Sequence, residues 1–203
     1  MTAPGKITLW GRKSSANVQK VLWTLAELSL PYEHIPAGGD FGGLSDAAYL
    51  AMNPNGRIPT LKDGDLVVWE SDAIVRYLAA RYGAGTLWPE DPAERAIADQ
   101  WMTWGTTELE VDWLWLFWRL VRTPPSKRDP QAIARHHEAT VARFKLLDGR
   151  LQGRDYLAGN RLTIADIPAG MTLYRWYAMD VERPRTPNVD AWYARLEERP
   201  AYR

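Results

Sequence analysis

Polar and apolar residues alternate over Lys6-Ile7-Thr8-Leu9-Trp10, the two-residue period of a half-buried strand. The period then lengthens: Val18, Val21, Leu22, Leu25 and Leu28 fall on one face of a helix. Pro31 stops it, and Tyr32 to Ile35 reads as a second strand. With a helix between them, the two strands are expected to run parallel. A loop rich in glycine (Gly38, Gly39, Gly42, Gly43) leads into a short polar stretch. Thr60-Leu61-Lys62 and Leu66-Val67-Val68-Trp69 flank Asp63-Gly64, a hairpin signal because such turns need positive φ. Ala73, Ile74, Tyr77 and Leu78 mark another helix.

Beyond residue 92 the strand signals nearly vanish. Pro92 suits a first helical turn, and a long helical segment runs to about Arg122, where Thr123-Pro124-Pro125 stops it. A second helix follows Asp129-Pro130 and ends near Gly153. Thr163 with Asp166 reads as a variant capping box ahead of Ile164, Ile167 and Met171. Pro187-Asn188 opens a last helix carrying Trp192 and Leu196. Gly83 to Asp91, with two glycines and Pro89, reads as a linker. The β-α-β then β-β-α order predicts an α/β thioredoxin-like domain over residues 5–83, joined through 84–92 to an all-α domain over 93–203.

Composition narrows the function classes. Of 203 residues, 46% are hydrophobic, enough for real cores. Basic and acidic residues balance at 25 each, so no net field recruits nucleic acid or an anionic membrane. Cysteine is absent, which removes disulfides, thiolate-bound zinc and a protein-borne redox thiol. The start, Met1 to Lys6, runs straight into a strand with no apolar stretch of signal-peptide length, and no window approaches the ~20 apolar residues of a membrane span. A cytoplasmic protein is expected. Eleven tryptophans suggest broad apolar surfaces between elements, between subunits or around a ligand. His34, His136 and His137 do not make a metal set, because adjacent histidines on a helix diverge by about 100°.

Three segments can carry chemistry, each with a plainer alternative. Gly11 to Asn17 joins the first strand to the first helix, where free N–H groups and the helix dipole favour an anion; the alternative is that Ser15 or Asn17 simply caps the helix. In Asn53-Pro54-Asn55-Gly56-Arg57-Ile58-Pro59-Thr60, a proline opening an edge strand suits a cis peptide. That would turn the N–H and C=O of Ile58 toward an extended peptide; the alternative is an ordinary trans turn. In Trp69-Glu70-Ser71-Asp72, Ser71 is a good N-cap whose helix start favours a carboxylate, and Glu70 could meet an ammonium group; the alternative is a cap and two solvated acids. Together the segments, expected at one edge of the sheet, offer sites for a thiolate, a peptide, and an amine beside a carboxylate.

The stretches ITLWGRKSSANVQKVLWTLAEL, LPYEH, MNPNGRIPTL, WESDAIVRYLAARYG and LAGNRLTIADI resemble cytosolic glutathione transferases, and most closely a bacterial, serine-type-like subgroup. The resemblance spans nearly the whole chain. It implies a homodimeric detoxification enzyme that uses glutathione as co-substrate and no metal. It places the Ile58 backbone, before Pro59, against the cysteinyl unit of glutathione, and Glu70 and Ser71 on the γ-glutamyl amine and carboxylate. Asp166, with Thr163, caps a buried helix. Ser15 falls at the activating position; Ser14 needs a shift of one residue, and Asn17 could supply a second hydrogen bond. The loop Ala37-Gly38-Gly39-Asp40-Phe41 lacks the cation that often meets the glycine carboxylate, leaving that contact to backbone amides or Arg12. Without cysteine, or a tyrosine between Lys6 and Leu30, the disulfide-exchange and tyrosine-activated versions are not expected.

The mechanism implied is ionisation of a ligand thiol. Lowering its pKa from ~8.5 to ~6.5 favours thiolate by about 2.7 kcal/mol. The second substrate is expected over the sulfur, against the first long helix of the second domain. Trp113, Trp115, Trp118 and Arg119 stand out there, with Trp115, Trp118 and Arg119 on one face and core packing the ordinary fate of each tryptophan. Trp115 and Arg119 are the candidate pocket residues. Two alternatives are a non-catalytic carrier of glutathione or a hydrophobic ligand, and a glutathione-dependent isomerase, which shares the double serine.

Overall fold

The computed structural model describes residues 6–203. The expectations resting on Met1 to Gly5, an absent signal segment and a domain start at residue 5, lie outside the described residues. The chain divides into two compact units, one ending at Trp88 and the other running from Pro89 to Ala201.

The first unit follows β1 (Ile7–Trp10), α1 (Ala16–Glu27), β2 (Tyr32–Ile35), α2 (Ala47–Met52), β3 (Thr60–Asp63), β4 (Leu66–Trp69) and α3 (Ser71–Tyr82). Its sheet has the order β2-β1-β3-β4. β1 and β2 are parallel, and the other two pairs are antiparallel. Ile7, Leu9 and Leu61 of the sheet pack with Val18, Val21 and Leu25 of α1 and with Ile74 and Leu78 of α3 into one buried core.

The structure corrects three local expectations. β3 lies between β1 and β4, so Pro59 opens an interior strand and not an edge one. Its missing N–H is tolerated because it stands just ahead of the ladder. The stretch after the glycine loop contains a helix, α2, made of good helix formers but too short for a periodic signal. Finally, α3 begins at Ser71, and the capping position belongs to Glu70, at φ 70° and ψ 118°.

The second unit is helical. The long segment is a chain of turns: α4 (Pro92–Trp104), a π turn over Gly105–Leu109, α5 (Glu110–Phe117) and a second π turn over Trp118–Arg122. α6 (Pro130–Leu151), α7 (Asp166–Ala178) and α8 (Pro187–Glu197) follow. α4 and α6 start alike, with proline in the first turn and an aspartate, Asp91 or Asp129, accepting from two of the first amides. Gly105 lets the first π turn approach α7 closely, since a Cβ there would lie 3.2 Å from Pro168 Cβ and 3.4 Å from Ala169 N.

α7 is buried at every position from Asp166 to Leu173. Asp166 closes its entry: one carboxylate oxygen accepts from Leu157 N at 2.9 Å and the other from Thr163 N at 3.0 Å. Thr163 Oγ1 in turn accepts from Ala165 N at 3.3 Å. Burial pushes the Asp166 carboxyl up to about 7, against the pull of those amides toward the charged form.

Candidate functional site

Strand register assembles the site. Trp10 of β1 pairs with Ile35 of β2 and Thr60 of β3, and Thr60 pairs with Trp69 of β4. The row Ile35–Trp10–Thr60–Trp69 therefore crosses the sheet at one end. β1, β2 and β4 leave the sheet there, and β3 enters it there. The three segments expected along one edge lie instead at one end of adjacent strands, joined by the glycine loop that follows β2.

At the exit of β1, Gly11 has φ 150°, and a Cβ on it would strike Val18 Cγ2 at 2.5 Å. Glycine alone lets the chain turn so tightly onto α1. Ser15 occupies the N-cap position of α1, but its hydroxyl caps no amide of the helix. Its backbone N donates to Arg12 O at 3.0 Å, and its carbonyl accepts from Gln19 N at 2.9 Å. The cap alternative thus fails for the Ser15 side chain. Asn17, the second residue of α1, accepts through Oδ1 from Ser71 Oγ at 3.3 Å, tying the start of α1 to that of α3.

A second tie lies deeper, where the fully buried Lys20 places Nζ 3.3 Å from Asp72 Oδ1. Nothing in the local pattern marked Lys20, because its partner is 52 residues away.

Before β3 the Ile58–Pro59 peptide is cis. The turn ahead of it is clamped by side chains. Tyr49 Oη donates to the Arg57 carbonyl at 2.7 Å, and Asn53 Nδ2 donates to the same oxygen at 2.9 Å. Asn53 Nδ2 also reaches Thr60 Oγ1 at 3.1 Å. Asn53 was visible within its Asn-Pro motif, but the role of Tyr49 was not. Burial raises the Tyr49 phenol above its usual range, which keeps it a donor.

Glu70 departs most from ordinary backbone geometry. A non-glycine residue at φ 70° is strained by roughly 1–3 kcal/mol, a cost that concentrates at ligand clamps. Its carbonyl nonetheless accepts from Ile74 N at 2.9 Å and starts α3. The exposed side chain stands beside Ser71, which is buried.

The glycine loop bounds a cavity of about 460 Å³ lined by Gly38, Gly39, Gly42, Gly43, Leu44, Ser45, Leu50 and Gly56. Arg12 reaches this loop from β1: a Cβ on Gly39 would sit 3.1 Å from Arg12 Nε.

In the helical unit, Trp113 is buried and stacks on Phe117 at 5.6 Å. Trp115 and Trp118 are half-exposed, so core packing is not their role. The Arg119 guanidinium lies 5.8 Å from the Trp115 ring centroid. Among the described residues no cluster of His, Cys, Asp and Glu suited to a metal occurs. His34 Nε2 donates to the Gly11 carbonyl at 2.7 Å, and His137 Nε2 to that of Glu182 at 2.6 Å. No helix among the described residues is long and apolar enough to cross a membrane.

Comparison with known proteins assigns both units. Residues 9–86 match the model of the glutathione S-transferase N-terminal domain, and residues 107–200 that of its C-terminal domain. Glutathione S-transferase GstB of Escherichia coli is 47% identical over 199 residues, covering 97% of this chain and 96% of that protein. Glutathione S-transferase D6 of Drosophila melanogaster is 31% identical, covering 94% and 86% respectively. A crystal structure of the theta class glutathione S-transferase from Xanthomonas axonopodis pv. citri, with glutathione bound, superposes with a TM-score of 0.92 at 48% identity. It covers 98% of this chain and 95% of that one.

Proposed function

The chain belongs to the glutathione S-transferase family, and we propose that it ionises the glutathione thiol at the start of α1 and turns the thiolate on a small electrophile. One observation carries this reading: the strand row Ile35–Trp10–Thr60–Trp69 gathers at one end of the sheet an anion-favouring helix start, a peptide-like segment and an acidic clamp.

In this reading, the Ile58 backbone pairs with the cysteinyl unit. Among the described residues no backbone partner takes the amide or carbonyl of Ile58, which leaves both for an extended ligand. Pro59 sets the direction in which they point. Glu70 receives the γ-glutamyl ammonium. Ser71, with the α3 amides behind it, receives the adjacent carboxylate. Asn17, already bonded to Ser71, couples that clamp to the sulfur end. Arg12, laid against Gly39, supplies the cation for the glycine carboxylate that the loop itself lacks.

Ser15 holds the thiolate. Its hydroxyl, not used on its own helix, donates to the sulfur, and the α1 dipole adds to the stabilisation. The thiol proton passes to solvent. The sulfur lone pair then forms a C–S bond while the bond to a leaving halide breaks with its electron pair, or while an activated double bond accepts the pair. Ser15 forms no covalent intermediate.

The helical unit supplies the surface for the electrophile, with Trp115 and Arg119 as contact residues. The active form is a homodimer in the cytoplasm. Calorimetric titration with reduced glutathione, followed by conjugation of chlorodinitrobenzene, tests the reading. Saturable heat with thioether formation is expected; no heat at millimolar tripeptide on folded protein would overturn it, and heat without turnover would make the chain a carrier.

A further inference from the structure

One cluster of the helical unit is not explained by folding. Trp115 stacks on His136 at 6.3 Å with 23° between the rings. The Arg119 guanidinium sits 5.8 Å from the same indole, and Trp118, one turn on from Trp115, stays half-exposed. The nearby acids serve a different arginine: Asp112 lies 3.2 Å and Glu108 2.6 Å from nitrogens of Arg143. Arg119 Nε is buried and donates to no acceptor among the described residues.

That arrangement is costly unless something answers it. A buried donor left unmade destabilises the fold, more so when it is charged. His136 does not supply the missing charge. Burial first, then Arg119 and Arg135, hold its pKa below the ordinary histidine value, with Asp112 opposing. At neutral pH it is an uncharged ring that braces Trp115, and the positive charge of the cluster resides in Arg119. A guanidinium presents a planar fork that matches a carboxylate, and the half-exposed indoles offer a face to a flat carbon body.

We infer that Trp115, Trp118 and Arg119 form a receiving surface for a small planar anion, an aromatic or unsaturated carboxylate, and that this is the class of electrophile the protein takes. The inference rests on the reading of the helical unit as the electrophile's side. A neutral hydrophobe would cover the indoles and leave the half-buried Arg119 guanidinium, which no acid among the described residues pairs, without a counter-charge. A second copy of the chain could cover the same face, so the test includes assembly state.

The test uses the full chain with two probes of one shape, a chloronitrobenzoate and its uncharged amide. Each is titrated calorimetrically without glutathione, then offered as a conjugation substrate. The wild type is expected to favour the benzoate by about tenfold in Kd and in kcat/KM, and Arg119→Gln to lose that preference while Arg119→Lys keeps part of it. Equal treatment of both probes by the wild type would overturn the inference, and so would an undiminished preference in Arg119→Gln. A variant that changes oligomeric mass in sedimentation without changing the preference would reassign the surface to subunit contact and equally overturn it. Glutathione titrated alone reports on the sheet end, so failure there is distinguishable from failure here.

Discussion

Ser15 and Glu70 show how much of the proposed chemistry rests on single residues. The Ser15 hydroxyl makes no cap bond, so replacing it removes little from the fold. Ser15→Ala is expected to bind glutathione about as well as the parent while the rising limb of its pH–rate profile moves up by about 1–2 units, the range a lost thiolate partner commands. An unmoved profile would shift the sulfur contact to Ser14 or Asn17. Glu70 combines an acidic side chain with a backbone that favours glycine. Glu70→Gly is expected to unfold later than Glu70→Ala, by about 1–2 kcal/mol in denaturant titration, with both losing glutathione affinity. The cis Ile58–Pro59 peptide and the helix start beside Glu70 and Ser71 were legible in the sequence because short motifs define them, while their roles toward glutathione rest on the family resemblance. Lys20 and Tyr49 were not legible, since each acts through a partner that only the fold brings near.

The elements carry a second set of constraints. α1 and α3 are held start to start by Ser71 with Asn17 and, deeper, by Lys20 with Asp72. Asp72→Asn takes a carboxylate from a fully buried ammonium and is expected to cost about 3 kcal/mol of stability. Because the pair spaces the clamp from the sulfur end, KM for glutathione should rise by a larger factor than kcat falls; an equal loss in both would make the pair purely structural. α7 depends on Asp166, whose folded pKa of about 7 lies above the usual aspartate value of 3.8. The native state therefore holds a proton that the unfolded chain has released, so this group's stabilisation is full below about pH 4 and is lost as pH rises through about 7. Relative to Asp166→Asn, the wild type should lose on the order of 4 kcal/mol across that interval, a slope that chemical denaturation at several pH values would measure. Helix periodicity marked α1 and α3, and proline start signals marked α4, α6 and α8. These signals missed α2, which has only six residues, and both π turns, which change hydrogen bonding without changing residue type.

At the scale of the whole chain, the change of periodicity and the element order disclosed a β-containing half and a helical half, and the structure divides into two compact units between Trp88 and Pro89. Strand order was hidden, because the pairing of Trp10 with Thr60 joins residues far apart in sequence, and so β3 was misread as an outer strand. That pairing also makes the sheet polar. All the proposed ligand contacts of the first unit collect beyond the row from Ile35 to Trp69, while the turn from Asp63 to Leu66 closes the opposite end. Gly64 there has φ 58° and open space around it. The far turn is thus a ready graft point: a short glycine-serine insert or a fluorescent reporter spliced between Gly64 and Asp65 should leave the glutathione dissociation constant unchanged within about twofold, because loop lengthening there costs only a few tenths of a kcal/mol. The same graft between Gly38 and Gly39 should abolish binding, and a pair of calorimetric titrations would tell the two ends apart.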